Sequence, residues 1–488
     1  MNGLLILLFL VFGLFLNAPC LSASTFVPVD DESYYLLQRL EAEGVVTGSI
    51  LTTRPISSGE MARLVFEAEQ NAGGRNTVVR EMVRRLKEIY KPVNPDTRFV
   101  KPFDSPYIKY AYTDSDIKNF SYNQEGDSFD KGSNLRAGLT SVAEFRWISF
   151  SINPEVRYSE DDTDVIARRA YGVLDLSGVD ITAGMDSQWW GPGYHGSILL
   201  SDNPAPVTML RISNPHPVLL PWILRYLGPF RVTAFVSKLE EERKNIPEPY
   251  FWGMRMNFKP LPWFEFGIQR TALLGGKGRS EGLNTWWKSF SGRGENKSGS
   301  GSGDQRAGCD VKITLPFRWQ PVQFYAEATG EDEAGSLPSK WAYLAGVYLP
   351  GFITLDRVDL RAEYATTHVS GSPGVWYNHS VYKSGYTYKG RVIGHHMGTD
   401  SRDIFLEAAY LMPEFNGRIS VSFDMEEHNL SGTIREKDSE LALKADMRFA
   451  ENLACSILYS HGEAKNPGNM SADDKKSNTV SGMIHLSF

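Results

Sequence analysis

The chain has 488 residues, of which 12% are aromatic and 44 are glycine, and carries a formal net charge of −7. Its mean hydropathy of −0.30 excludes a bundle of apolar membrane helices but admits a membrane barrel, whose wall alternates apolar and polar residues. The mild acidity argues against nucleic-acid binding, which asks for a basic surface, and the length implies several soluble domains or one architecture that grows by adding strands.

The apolar run from Leu4 to Leu16, followed by small residues up to Ala23, predicts a secretory signal peptide over residues 1–23, although no Lys or Arg precedes it. Pro19 beside Cys20 suits a lipoprotein signal poorly, so Cys309 and Cys455 are the cysteines of the exported chain. Two cysteines in a chain of this size do not make a disulfide framework. Residues 24–100 then read as helical. "DDESYYLLQRLEAEGVV", "SSGEMARLVFEAEQNAGG" and "NTVVREMVRRLKEIYKP" carry apolar residues at three- and four-residue spacing. Ser57 and Glu60 have the spacing of a capping box, while Gly44, Gly73 and Gly74 supply stops and Pro92 ends the third helix.

From about Pro106 the period changes to two. Leu135, Ala137, Leu139, Ala143, Phe145 and Trp147 alternate with Arg136, Thr140, Glu144 and Arg146, so one face is greasy and the other charged. The runs approach ten residues, the length needed to cross a membrane at a tilt, whereas strands of soluble sandwiches are shorter. Links between them alternate tight ("KPLP", "RWQ", "PEFNG", "AEN") and long (Ala272–Gly308, Thr367–Asp400, Glu427–Asp438, Gly462–Ser477), the rhythm of outer-membrane barrels with short periplasmic turns and long external loops. The expected fold is therefore an all-β transmembrane barrel of about eighteen antiparallel strands over residues 101–488, with a small periplasmic α-helical bundle before it. Phe488 closes an alternating strand with Leu486, Ile484 and Val480 on one face, similar to the terminal signal read by the outer-membrane assembly machinery. The region from Gly191 to Gly228 does not resolve into clear elements.

Within that region stands "QWWGPGYHGSILLSDNPAPVTMLRISN", followed by "LGPFRVTAFVSKLEEER" and "FWGMRMNFKPLPWFEFGIQRTALLGGKGR". In this order and spacing the three blocks resemble the Wzi family of outer-membrane capsule-assembly proteins, and the resemblance extends less sharply over most of the mature chain. It implies an eighteen-stranded barrel with a periplasm-side helical bundle, acting as a lectin that helps hold capsular or other extracellular polysaccharide at the cell surface. A passive or solute-selective channel is the alternative class. No catalytic residues come with the resemblance, and G-x-S-x-G, H-E-x-x-H and C-x-x-C are missing from the sequence, so no enzyme activity and no cofactor are expected. Outer-membrane lipid, the assembly machinery and polysaccharide are the expected partners of a monomer, with no nucleic acid.

Sugar rings stack on aromatic faces and offer hydroxyls to planar polar groups. Trp189, Trp190 and Tyr194, with Gln188, His195, Asp202 and Arg211 as polar neighbours, form one candidate polysaccharide site. A structural reading stands beside it, with the tryptophans filling the barrel and the glycines permitting a tight plug loop. Lys277 and Arg279 in "TALLGGKGR" are candidates for an anionic polymer, or simply close a loop; Trp286 and Trp287 are a second candidate stacking pair. Arg255, Glu265 and Arg270 suggest a lumen ion-pair network, or a solvated inner wall. Ser291 to Gly308 reads as a flexible loop tip. His395-His396 near Asp400 invites a metal, but neighbours in an extended chain face apart and no second ligand cluster is evident, so none is expected.

Overall fold

The computed structural model describes residues 23–90, 98–115, 120–291, 303–334, 337–450 and 452–487. The signal-peptide run, Pro92 and the terminal Phe488 lie outside the described residues.

Three helices come first: α1, Ser33–Ala42; α2, Ser58–Asn71; α3, Thr77–Ile89. Gly44 and Gly74 follow α1 and α2 with φ of 70° and 76°, angles that favour glycine. Ser57 caps α2 through Glu60 N at 3.1 Å. Only that half of the expected box is present, because the Glu60 carboxylate turns to Arg63 and to His216 Nδ1 at 2.6 Å. Leu37 and Leu40 of α1, Leu64 and Val65 of α2, and Val79 and Leu86 of α3 share one core. All ten residues of α1 are buried, since this helix is enclosed by the barrel as well as by its neighbours. Tyr35 and Arg39 bond Asp359 on the barrel wall, and Glu41 meets Lys259 and Lys312.

The remaining chain closes into an eighteen-strand antiparallel barrel. The first strand is Phe99–Lys101 continued by Tyr107–Thr113, and the second is Gly132–Gly138 continued by Ser141–Glu144. The last, Lys475–Leu486, closes on the first with Val480 opposite Tyr112 and Ile484 opposite Ile108. Side chains alternate as the period of two requires. Along Arg402–Met412, Asp403 and Phe405 are buried inward while Leu406 and Tyr410 stand 47% and 45% exposed on the outer face. Among the described residues no helix is long and apolar enough to cross a membrane; the strands do so.

Tight turns at 262–263 and 413–416 gather at one end. The bundle sits there, with Arg84 of α3 donating to Asn416 Oδ1 at 3.1 Å. Long connections at 187–206, between Leu274 and Gly303 (described over 275–291), and at 367–401 gather at the other end. Two links expected to be long are short, at 429–435 and 466–474, because the strands Gly417–His428 through Lys475–Leu486 run on past the expected boundaries. The unread stretch from Gly191 to Gly228 contains the strand Val207–Ser213 and, at the tight-turn end, a 3-10 turn over Trp222–Leu227.

Candidate functional site

The Gly-Pro-Gly bend lets the chain enter the barrel. Gly191 has φ of 139°, and its amide donates to Thr52 O at 2.9 Å. Trp189 and Trp190 pair antiparallel with Arg54 and Thr53, so a segment from between α1 and α2 meets a segment from the long-loop end inside the lumen. Trp190 is fully buried, edge-on to Phe235 with ring centroids 5.4 Å apart. The wall gives way to it at Gly253, where a Cβ would stand 2.8 Å from the indole. Trp189 is 4% exposed. Neither ring has a face free for a sugar, and the geometry assigns both to the plug.

Gln188, Asp202 and Arg211 are buried with them. Gln188 Nε2 contacts Met209 Sδ at 3.1 Å, and Arg211 lies 3.2 Å from Asp186 and 4.2 Å over the Phe26 ring. Arg255 and Glu265 belong to a dense network that grips the N-terminal segment. Arg255 makes paired bonds to Asp310 at 2.6 and 3.0 Å and reaches Thr53 Oγ1 at 2.7 Å, while Glu265 accepts from Thr52 Oγ1 at 2.5 Å and pairs with Lys312 at 2.9 Å. Paired, hydrogen-bonded charge is the arrangement in which burial of ions is tolerated. Arg270 is a correction: it shares the outer face with Ile268, one residue out of phase with the inward Glu265 and Gln269, and bonds Gln305 on that face.

Corrections also apply around the second long connection. Trp286 and Trp287 are on a short helix, α4, Leu283–Phe290, that lies against the outer wall. Trp286 packs on Tyr250 at 5.4 Å, and Ser289 accepts from Trp252 Nε1 at 3.0 Å. Successive helical residues project about 100° apart, so these two rings cannot grip one sugar. Lys277 is exposed and already paired with Glu241 and Glu248, and Arg279 lies 5.4 Å over the Tyr382 ring. Of the expected flexible tip, 292–302 lie outside the described residues, whereas Asp304–Gly308 open a strand, and Arg306 is buried between Asp304 at 2.9 Å and Glu331 at 2.7 Å.

Above the plug, Glu363 gathers the backbone amides of Tyr194, His195 and Gly196 at 2.8, 3.1 and 3.1 Å, an anion-binding bend turned on a side chain. Tyr194 is thereby set under the Arg361 guanidinium, 3.9 Å from its ring, with its hydroxyl donating to Glu407 at 3.1 Å. His195 is directed towards the wall. Asp400 bonds His368 at 2.7 Å and Ser431 rather than the adjacent histidines. The expectation that His395-His396 lack a second cluster is corrected by the fold: His396 and His195 stand edge-to-face with centroids 4.7 Å apart, beside Asp403, Asp424 and Glu426. Burial opposes protonation of His195, but Asp424, Glu363 and Glu426 outweigh it and raise its pKa; His395, buried beside the other two imidazoles, is held well below the usual histidine range.

Of these groups, His396 and Glu426 line a cavity of about 630 Å³ at the long-loop end. Tyr122, Asn203, Arg391, His428, Glu436 and Asp438 are among its lining residues. Tyr122 stacks on His396 at 4.3 Å and donates to Glu440 at 2.7 Å. The initial candidate residues include none of these six. The signal was available in parity: Asp424, Glu426 and His428, then Glu436, Asp438 and Glu440, repeat every second residue and so face one lumen wall.

Residues 105–479 match the family model described as capsule assembly protein Wzi. A protein of Klebsiella pneumoniae, described as an uncharacterized 55.8 kDa protein in the cps region, is 28% identical over 319 residues. That alignment covers 63% of this chain and 58% of the relative, less than two thirds of its length. Among solved structures, the carbohydrate-binding β-barrel Wzi, an outer-membrane protein involved in group 1 capsule assembly in Escherichia coli, superposes with a TM-score of 0.77 at 22% identity. The match covers 95% of this chain and 100% of that one, and at such identity it bears on the fold.

Proposed function

This outer-membrane barrel belongs to the Wzi family of capsule assembly proteins, and on that premise we propose that it binds extracellular polysaccharide at its long-loop end and assists attachment of the polymer to the cell surface. The observation that carries the reading is the 630 Å³ cavity lying over an occupied lumen. A site of that size accommodates a few sugar rings. Its Asn, Asp, Glu and Arg side chains provide the directional partners that hydroxyls need, and Tyr122 provides an aromatic surface. The tight-turn end, with its helices, faces the periplasm in this arrangement, and the long loops face outward.

The test is binding of host polysaccharide to the purified, detergent-solubilised protein, beside polymer retention by cells. Asp438→Asn and Asn203→Ala are expected to weaken binding about tenfold, roughly 1.4 kcal/mol, and deletion of the gene to release polymer into the medium. Unaltered retention in the deletion strain overturns the reading. The channel alternative predicts steady conductance in planar bilayers; two segments meeting in the lumen speak against it.

A further inference from the structure

Beneath the cavity, three stretches far apart in sequence bring together His195, His396 and Asp403, each offering one ligand atom within 4.8 Å of the others. His195 comes from the plug bend, His396 from the 367–401 connection and Asp403 from a barrel strand. Nε2 of His195 lies 3.7 Å, and Nε2 of His396 3.9 Å, from Asp403 Oδ2. A tetrahedral ion with bonds of about 2.0–2.1 Å sets its ligand atoms about 3.3 Å apart. The two imidazole–carboxylate separations therefore need to close by about 0.4–0.6 Å, and the imidazole–imidazole separation, at most 4.8 Å, by up to about 1.5 Å, to hold one.

A second observation concerns unmet polar atoms. Asp403 Oδ1 is buried without a hydrogen-bond partner, while His195 Nε2 and Asp424 Oδ1 face each other at 3.3 Å without good hydrogen-bond alignment; the three residues are 2%, 6% and 5% exposed. Polar atoms so incompletely satisfied in such a place are costly. The other nitrogen of His396 is already oriented, with Nδ1 2.5 Å from Glu426 Oε1, the carboxylate–imidazole arrangement that steadies metal-binding histidines. His396 Nε2 faces the His195 carbonyl at 3.1 Å, a contact that an ion would replace.

We propose that His195, His396 and Asp403 hold a zinc-class divalent ion that fastens the plug to the barrel wall under the outer cavity. Two imidazoles and one carboxylate suit zinc-class ions, whereas calcium and magnesium prefer all-oxygen sites. Three protein ligands leave a fourth position for water. Asp424, 3.3 Å from His195 Nε2, adds negative charge beside the ion. Ion binding here is independent of what occupies the cavity above.

The test uses untagged full-length protein in detergent, stripped with chelator, exposed to micromolar zinc chloride and desalted, with metal counted by mass spectrometry. The expected result is one zinc per chain in the wild type and at least a tenfold drop in His195→Gln and Asp403→Asn, with heat-modifiable gel migration showing that the barrel is folded. Zinc-edge X-ray absorption of the wild type supplies a readout that needs no variant, and should contain imidazole scattering. Failure of the wild type to retain zinc, an imidazole-free shell, or unchanged stoichiometry in both folded variants overturns the proposal.

Discussion

Lys259 Nζ on the barrel wall lies 2.8 Å from Glu41 Oε1 on α1. Lys312 reaches the other carboxylate oxygen at the same distance, so one buried anion on the bundle is clamped between two cations of the wall. Burial alone would raise the Glu41 pKa, and the two ammonium groups reverse that and bring it from the ordinary 4.5 down to about 2. A depressed pKa means that the folded state binds the proton less readily than the unfolded state. The stabilisation is thus complete above about pH 4.5 and is lost as pH falls towards 2. Glu41→Gln is expected to cost about 3 kcal/mol at neutral pH by leaving buried charge under-compensated. Hydrogen exchange of the α1 amides reads both effects; unchanged protection in the variant would show that this clamp does not hold the helix.

Trp190→Ala removes a fully buried indole of the plug from a pocket shared with Phe235, Phe251 and Leu200. Truncation of a buried aromatic costs about 3–5 kcal/mol. The barrel is expected to survive, because its strand ladder does not pass through Trp190, while the segment 187–207 loosens. Protection of these amides should fall and steady conductance should appear in planar bilayers where the wild type shows none.

Gly253→Val tests the same packing from the wall. An added Cβ would stand 2.7 Å from the Phe235 ring and 2.8 Å from Trp190, closer than ring carbons tolerate. Overpacking of this kind costs about 1–3 kcal/mol. The expected signature is a lower temperature for the heat-modifiable gel shift, smaller than the effect of Trp190→Ala on plug protection.

The barrel was legible because its rules are local. Apolar–polar alternation, link lengths and caps such as Ser57 each act within a few residues, and each points to its element without knowledge of the rest. The plug was not legible in that way. Thr53 pairs with Trp190, and His195 meets His396, across more than a hundred residues, and nothing in either stretch announces its partner. Arg270 shows how little separates a right from a wrong placement, since one step in a strand exchanges lumen for outer face. Trp286 and Trp287 show a related difficulty: an aromatic pair looks like a sugar platform until the local period becomes helical.

That helix gives the last prediction. On α4, Trp286 packs inward onto Tyr250, whereas Trp287 and Leu283 remain 49% and 80% exposed beside the outer wall. Aromatic and apolar groups at such a height suit the membrane interface, where the ring body leaves water and the N–H stays wet. Trp286→Ala is expected to cost about 3 kcal/mol of local packing, read as faster hydrogen exchange over 283–290. Trp287→Ala should leave polysaccharide retention at the wild-type level, because its ring lies on the outside of the barrel while the cavity lies within the rim. If Trp287→Ala releases polymer as strongly as Asp438→Asn does, the glycan contact runs over the outer wall and the cavity is not its seat.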